Sequence, residues 1–170
     1  LFARLVIAQG LLLNQFMDQG IGNDHFIGIG RTNDQFKDIE QFTAIPTGKP
    51  EKHIGFLQVD QPAGNHNGGG LVYADGSLYL GLGDGGGAND QFGQGQNFDS
   101  LLAGIVRIDP DSGESTLWAG GLRNPFRISF DEPSGTIAIA DVGQNALEEV
   151  SIVPLDDQFR NFGWPITEGL

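Results

Sequence analysis

From residue 53 to its end the sequence predicts an all-β fold, and three observations carry that expectation. Short runs rich in aliphatic, β-branched and aromatic residues follow one another. Turn signals built on glycine, with aspartate, proline or serine beside it, separate them. One strand–turn–strand unit then recurs together with its flanking loops.

The first pair of runs is Leu71-Val72-Tyr73 and Leu78-Tyr79-Leu80, joined through Ala74-Asp75-Gly76-Ser77. An Asp-Gly pair between apolar runs is a strong short-range hairpin signal. The second pair, Ile105-Val106-Arg107-Ile108 and Thr116-Leu117-Trp118, flanks Asp109-Pro110-Asp111-Ser112-Gly113. That loop opens like a calcium loop but lacks the terminal glutamate of an EF-hand, and a type I turn is the better reading. The third pair, Phe126-Arg127-Ile128-Ser129-Phe130 and Thr136-Ile137-Ala138-Ile139, flanks Asp131-Glu132-Pro133-Ser134-Gly135. Residues 147–153 read as a further strand.

Two of these hairpins are versions of one unit. His66, a glycine run, a strand, a turn at Gly76, a strand and Gly83-Asp84-Gly85 make the first. Arg123-Asn124, a strand, a turn at Gly135, a strand and Asp141-Val142-Gly143 make the second. The offset is 59 residues at the turn glycines and 57 between His66 and Arg123. A repeated antiparallel unit of roughly 40–50 residues is the signature of a β-propeller, with the 85–97 segment an insertion that lengthens the period. Repetition places His66 and Arg123 at equivalent positions, so they are expected to share a site at one mouth of the channel.

The chain divides near residue 53: residues 1–52 are hard to read and match the pattern of the rest poorly, with part of a blade as one reading. Residues 1–13 are apolar, interrupted by Arg4, Gln9 and Gly10, and read as a buried strand, a short helix or the remnant of a leader. A polar–aromatic tetrad recurs irregularly: Asn23-Asp24-His25-Phe26, Asn33-Asp34-Gln35-Phe36, Asn89-Asp90-Gln91-Phe92 and Asp156-Asp157-Gln158-Phe159. Its Asx residues favour turns, and the phenylalanine would anchor each loop.

Charge and composition narrow the function. Twenty-two acidic residues against nine basic ones give a net charge of −13, which argues against nucleic acid as a partner. The chain has no cysteine, hence no disulfide, thiolate metal site or cysteine nucleophile. No run reaches the roughly 20 apolar residues of a membrane-spanning helix.

Four segments hold residues suited to chemistry. In Asn65-His66-Asn67-Gly68-Gly69-Gly70, His66 is a candidate general base, beside glycines that let a ligand approach; an incidental loop histidine is the plainer alternative. In Gly81-Leu82-Gly83-Asp84-Gly85, Asp84 could orient that imidazole, or simply shape a turn. In Gly120-Gly121-Leu122-Arg123-Asn124-Pro125, Arg123 offers a donor fork for a carboxylate or a quinone oxygen, or clamps the loop. Glu148 and Glu149 could ligate Ca²⁺ or mark a solvated strand edge. His25 and His53 lack such surroundings.

Taken in order, "VDQPAGNHNGGGLVYADGSLYLGLGDGG", "GQGQNFDSLLAGIVRIDPDSG", "GLRNPFRISFD", "GTIAIADVGQNALEEV" and "NFGWPITEG" resemble the soluble glucose/sorbosone dehydrogenases that use pyrroloquinoline quinone (PQQ). The resemblance implies a six-bladed propeller with PQQ over the channel mouth, of which this length supplies about three to four blades. It implies His66 as the catalytic base on the sugar hydroxyl, with Asp84 supporting it. Arg123 and Asn124 would contact the cofactor, and Glu149 with the Phe162 carbonyl would lie at the Ca²⁺. The substrate would be an aldose sugar or related alcohol, and the location periplasmic or extracellular.

Such chains are usually about twice as long as this one, and the basic residues that later blades bring to the cofactor have no counterpart here. Three explanations stand open: a piece of a longer protein, pairing with another copy, or loss of cofactor binding. Open strand edges invite a homo-oligomer or filament. Beside the dehydrogenase therefore stands a non-catalytic, propeller-derived binding or self-assembling module. A lactonase-like enzyme fits less well, since it would want several acidic metal ligands around the channel.

Overall fold

Strand formation follows the apolar runs, and the turns between them set the register. The computed structural model describes residues 3–9, 28–32, 54–109, 112–145, 147–156 and 159–169. Among these every regular element is a β-strand. The chain divides into two compact units, Leu1–Gln61 and Pro62–Leu170.

In the first unit, β1 (Ala3–Gln9) is the central strand of an antiparallel sheet of order β2-β1-β3, with β2 at Gly28–Thr32 and β3 at Ile54–Gln61. The register runs from Arg4↔Thr32 to Ala8↔Gly28 on one side and from Ala3↔Gln61 to Gln9↔Ile54 on the other, with an irregularity at Ile7/Ala8. Within the apolar stretch over 1–13, Ala3–Gln9 is thus a strand. The tetrads at 23–26 and 33–36, together with His25 and His53, lie outside the described residues.

The second unit opens with the hairpin of β4 (Leu71–Ala74) and β5 (Ser77–Leu82). Its two loop residues, Asp75 and Gly76, have φ of 43° and 75°. Two successive positive φ values give a mirror-image turn whose twist matches that of the strands, and Asp-Gly tolerates it best. From there the sheet continues through β6 (Gly104–Ile108) and β7 (Ser115–Gly120), antiparallel, to β11 (Arg160–Asn161), which lies parallel to β7. The two hairpins expected over 71–118 therefore merge into one five-stranded sheet, because β5 and β6 pair along five residues from Leu78↔Ile108 to Leu82↔Gly104. At the turn between β6 and β7, Ser112 N–H donates to Asp109 Oδ1 at 2.8 Å and Gly113 N–H to the Asp109 carbonyl at 2.9 Å; Pro110 and Asp111 lie outside the described residues.

A second sheet has order β10-β9-β8, with β8 at Pro125–Asp131, β9 at Thr136–Asp141 and β10 at Glu149–Pro154. The strand expected over 147–153 starts two residues late. Leu147 and Glu148 belong to the loop, where a Glu148 carboxylate oxygen accepts the Gly143 N–H at 3.2 Å.

The core lies between the two sheets. Val72, Tyr79, Ile105 and Leu122 pack with Ile137, Ile139 and Val153 in one buried cluster. β5 is buried along its whole length, as befits a strand covered on both faces. Gly81 lets β8 approach it: a Cβ there would lie 2.5 Å from the Pro125 carbonyl oxygen. On β9 the side chains alternate, with Ile137 and Ile139 at 0% exposure and Ala138 and Ala140 on the outer face. On the neighbouring β10 that outer face carries Val150 and Ile152, 71% and 68% exposed, and among the described residues β10 is an edge strand paired only with β9.

The same truncation should therefore have opposite consequences on the two strands. Ile139→Ala is expected to cost about 2–5 kcal/mol through lost burial and a cavity, whereas Ile152→Ala should stay within about 0.5 kcal/mol. Urea midpoints of the two variants test the assignment, and equal losses would contradict it.

Candidate functional site

Two loops that precede first strands, and two strand ends that follow second strands, meet in the second unit. His66 stands before β4, and Asp84 stands two residues beyond the end of β5. Arg123 and Asn124 stand before β8, and Asp141 closes β9. The backbone knits these points together: Asp84 N–H donates to the Arg123 carbonyl at 2.8 Å, and Gly85 N–H to the His66 carbonyl at 3.4 Å. Gly83 makes the convergence possible, since a Cβ there would lie 2.0 Å from the His66 oxygen and 3.1 Å from the Arg123 oxygen. His66 and Arg123 thus do converge on one segment, as their equivalent places in the repeat require.

His66 Nδ1 and Asp84 Oδ1 are 2.7 Å apart. The imidazole is 11% exposed and the carboxylate 0%. A buried carboxylate is tolerated only when it is well supplied with hydrogen bonds. Asp84 also accepts the Gly86 N–H on Oδ1 at 2.9 Å and the Trp164 indole N–H on Oδ2 at 3.0 Å. A carboxylate only accepts, so with Asp84 as the carboxylate the short contact is an Nδ1–H donation, which in a neutral imidazole leaves the lone pair on Nε2. His66 also has φ of 51°, in the left-handed region that non-glycine residues seldom use. Backbone strain of this kind gathers where a side chain must be aimed.

The second repeat builds the same hook with different residues. Asp141, 7% exposed, accepts the Arg123 N–H at 2.8 Å and the Asn124 N–H at 2.5 Å. Asp84 reaches back 18 residues to His66, and Asp141 reaches back 18 residues to Arg123. Each copy of the repeat therefore has, at or just beyond the end of its second strand, a buried aspartate that gathers the loop before its first strand. Asn124 in turn joins the two units of the repeat, its side-chain oxygen accepting the Gly68 N–H at 2.9 Å.

The Arg123 side chain is 9% exposed as a residue and donates through Nη1 to the carbonyls of Val142 and Gly143, each at 3.0 Å. Its guanidinium carbon lies 5.5 Å from the centroid of the Trp164 ring, a cation–π distance. Nε of Arg123 is buried without a hydrogen-bond partner. An unmatched donor on a buried cation is the kind of group that takes an anionic ligand.

The residues assigned to calcium stand on different anchors. Glu149, the first residue of β10, faces Asp141 in the register and accepts the Gly169 N–H. Phe162 follows β11, donates its N–H to the Gly120 carbonyl at 2.9 Å and packs on the core. Among the described residues no group of three or more His, Asp or Glu side chains could hold a metal ion. One carboxylate and one carbonyl fall short of the roughly six to eight oxygens that calcium takes, so the described residues do not fit a calcium ion by themselves.

Two members of the site were not singled out from sequence. Asp141 could have been found by carrying the 57-residue offset from Asp84. Trp164 lies 80 residues from its partner Asp84, and nothing local to it signals the contact.

Burial pushes the Asp141 carboxyl up to about 6, against the lowering effect of the Arg123 and Asn124 N–H donors, with Glu149 adding to the rise. A carboxyl raised above its ordinary value binds its proton more tightly in the folded chain than in the unfolded one. Its contribution is therefore most favourable below about pH 4 and declines as pH rises through the window to about 6. Asp141→Asn should remove that slope. The stability of the wild type relative to this variant is expected to fall by up to about 3 kcal/mol between pH 4 and pH 7, and parallel profiles would refute the assignment.

A family model described as Glucose / Sorbosone dehydrogenase matches residues 16–169. The HIPL1 protein of Arabidopsis thaliana is 32% identical over 152 residues, which is 71% of this chain and 21% of that protein. The HIPL2 protein of the same plant is 34% identical over 153 residues, 72% of this chain and 22% of its own length. The chain thus spans about a fifth of the length of these curated relatives. The family match begins well upstream of the first motif and runs on through every strand that positions His66, Asp84, Arg123, Asp141 and Trp164, and on that extent the chain belongs to the glucose/sorbosone dehydrogenase family.

Proposed function

We propose that the second unit carries the catalytic face of a quinone-dependent dehydrogenase acting on an aldose sugar or related alcohol. The observation that carries this reading is the His66–Asp84 pair, 2.7 Å apart at the end of a buried strand. In this reading the two sheets of the unit are successive blades of a propeller, and the loops before β4 and β8 lie at one mouth of its channel.

The chain's own chemistry is acid–base and electrostatic. Asp84 holds His66 in the Nδ1–H tautomer, so that Nε2 can take the proton of a substrate hydroxyl. The Asp84 carboxylate steadies the imidazolium that results, as in other His–Asp pairs. Arg123 and Asn124 form the edge where an anionic cofactor would sit. The unpartnered Nε of Arg123 fits one carboxylate of PQQ, a tricarboxylate. When bound, PQQ would accept the hydride from the carbon that bears the deprotonated hydroxyl. Calcium enters no step here, since the described residues do not make a site for it.

Calorimetric titration of PQQ into the purified chain tests the reading, followed by sugar oxidation with a dye acceptor. Saturable binding lost in Arg123→Ala is expected, together with turnover that drops at least about 100-fold in His66→Gln while PQQ still binds. Failure to bind PQQ with or without added Ca²⁺ would sink it.

The outer face of β10 favours a second reading, a non-catalytic module that assembles with itself. Exposed Val150 and Ile152 on an unpaired strand edge are what edge-to-edge association uses. If so, sedimentation should show a concentration-dependent oligomer that Ile152→Lys returns to the monomer. A wild-type chain that stays monomeric at high concentration would dispose of the module.

A further inference from the structure

We infer that Trp164 is a positioning residue for the His66–Asp84 pair, fixing which nitrogen of His66 carries the proton. The inference rests on the reading of His66 as a base and gives that site a part absent from the acid–base pair alone.

Asp84 has two oxygens and no access to water. Oδ1 serves His66 Nδ1 and the Gly86 N–H. Oδ2 accepts the Trp164 indole N–H at 3.0 Å. If that donor were absent, the aspartate could satisfy both oxygens only by rotating about its Cα–Cβ and Cβ–Cγ bonds, and Oδ1 would leave the line of His66 Nδ1. The indole therefore acts as a stop on the carboxylate. Indole nitrogen has the further merit of being a donor only, so it cannot reverse the hydrogen bond as a hydroxyl or an amide could.

The stop is itself held rigidly. Trp164 is 6% exposed. Its N–H donates to the Gly121 carbonyl at 2.9 Å, and its carbonyl accepts from Gln96 Nε2 at 2.6 Å. Gly95 lies against it so closely that a Cβ there would be 2.9 Å from the ring carbon Cδ1. The Arg123 guanidinium covers the ring. One side chain thus touches both the base-supporting acid and the candidate cofactor-binding cation. A pair meant to abstract a proton must be held to within about 0.5 Å, and a rigid donor behind the aspartate supplies that.

The test reads His66 directly, in the chain without cofactor. Long-range ¹⁵N correlation of the imidazole nitrogens should show neutral His66 as the Nδ1–H tautomer. Trp164→Phe keeps an aromatic ring under Arg123 and removes the indole N–H together with part of the bicyclic ring. Its Nδ1–H population is expected to fall at least about twofold, towards the Nε2–H form that free histidine prefers. A folded Trp164→Phe with an unchanged tautomer would overturn the proposal, since a purely structural role predicts lower stability and no tautomer shift. Should the variant not fold, the wild type still decides. The chain has two tryptophans, and the indole proton of Trp164 should exchange with solvent at least about tenfold more slowly than that of Trp118. Equal rates would mean that the bond to Asp84 is not formed. A tautomer shift in a chain that never oxidises sugar would leave the positioning intact and remove the dehydrogenase reading. Sugar oxidation with an unmoved tautomer would do the reverse.

Discussion

A carboxylate cut off from water needs donors on both of its oxygens, and the second unit is arranged around that need at Asp84. Its donors come from three separate places: the loop before β4, the glycine turn two residues on, and the loop after β11. Each must reach the same point, so the strand ends and loops that bring them cannot move independently. The close approaches at Gly81 and Gly83 follow from this, since any side chain there would hold the sheets or the loops apart. The core behind them, centred on β5, supplies the burial that makes the hydrogen bonds strong and their loss costly.

What the sequence discloses of this arrangement depends on how local the signal is. The hairpin of β4 and β5 is legible because Asp75-Gly76 lies between two apolar runs and can adopt the two positive φ values the turn demands. The third hairpin is legible for a similar reason, and His66 and Asp84 come forward through the glycines around them. The merging of two hairpins into one sheet is not legible, because the β5–β6 pairing spans the whole 83–103 stretch and leaves no mark on either strand. β11 is two residues long, pairs in parallel and is invisible to any pattern of alternation. At Asn89 and Asp90 the sequence points to a turn without its purpose. Both residues have positive φ, and Asp90 accepts the N–H groups of Gln94 and Gly95, the latter lying against Trp164.

The repeat explains more of the site than any single motif does. An aspartate at or just beyond the end of the second strand that reaches back 18 residues occurs in both copies of the repeat, once holding a histidine side chain and once holding two backbone N–H groups. The mechanical task is common and the chemical one is not. In the second copy of the repeat the hook positions Arg123 and Asn124, whose side chains then turn to Val142, Gly143 and Gly68. In the first it positions an imidazole. Divergence within one architectural device thus places a guanidinium and an imidazole side by side.

That shared device separates two kinds of information in related sequences. An aspartate at the place of Asp84 has work to do in any copy of the unit, whether or not chemistry follows, because it ties a loop to a strand. A histidine at the place of His66 has no such mechanical claim, as the arginine in the second unit demonstrates. The aspartate is therefore bound to the fold itself, whereas the residue at the place of His66 is left free to differ from one copy of the unit to another.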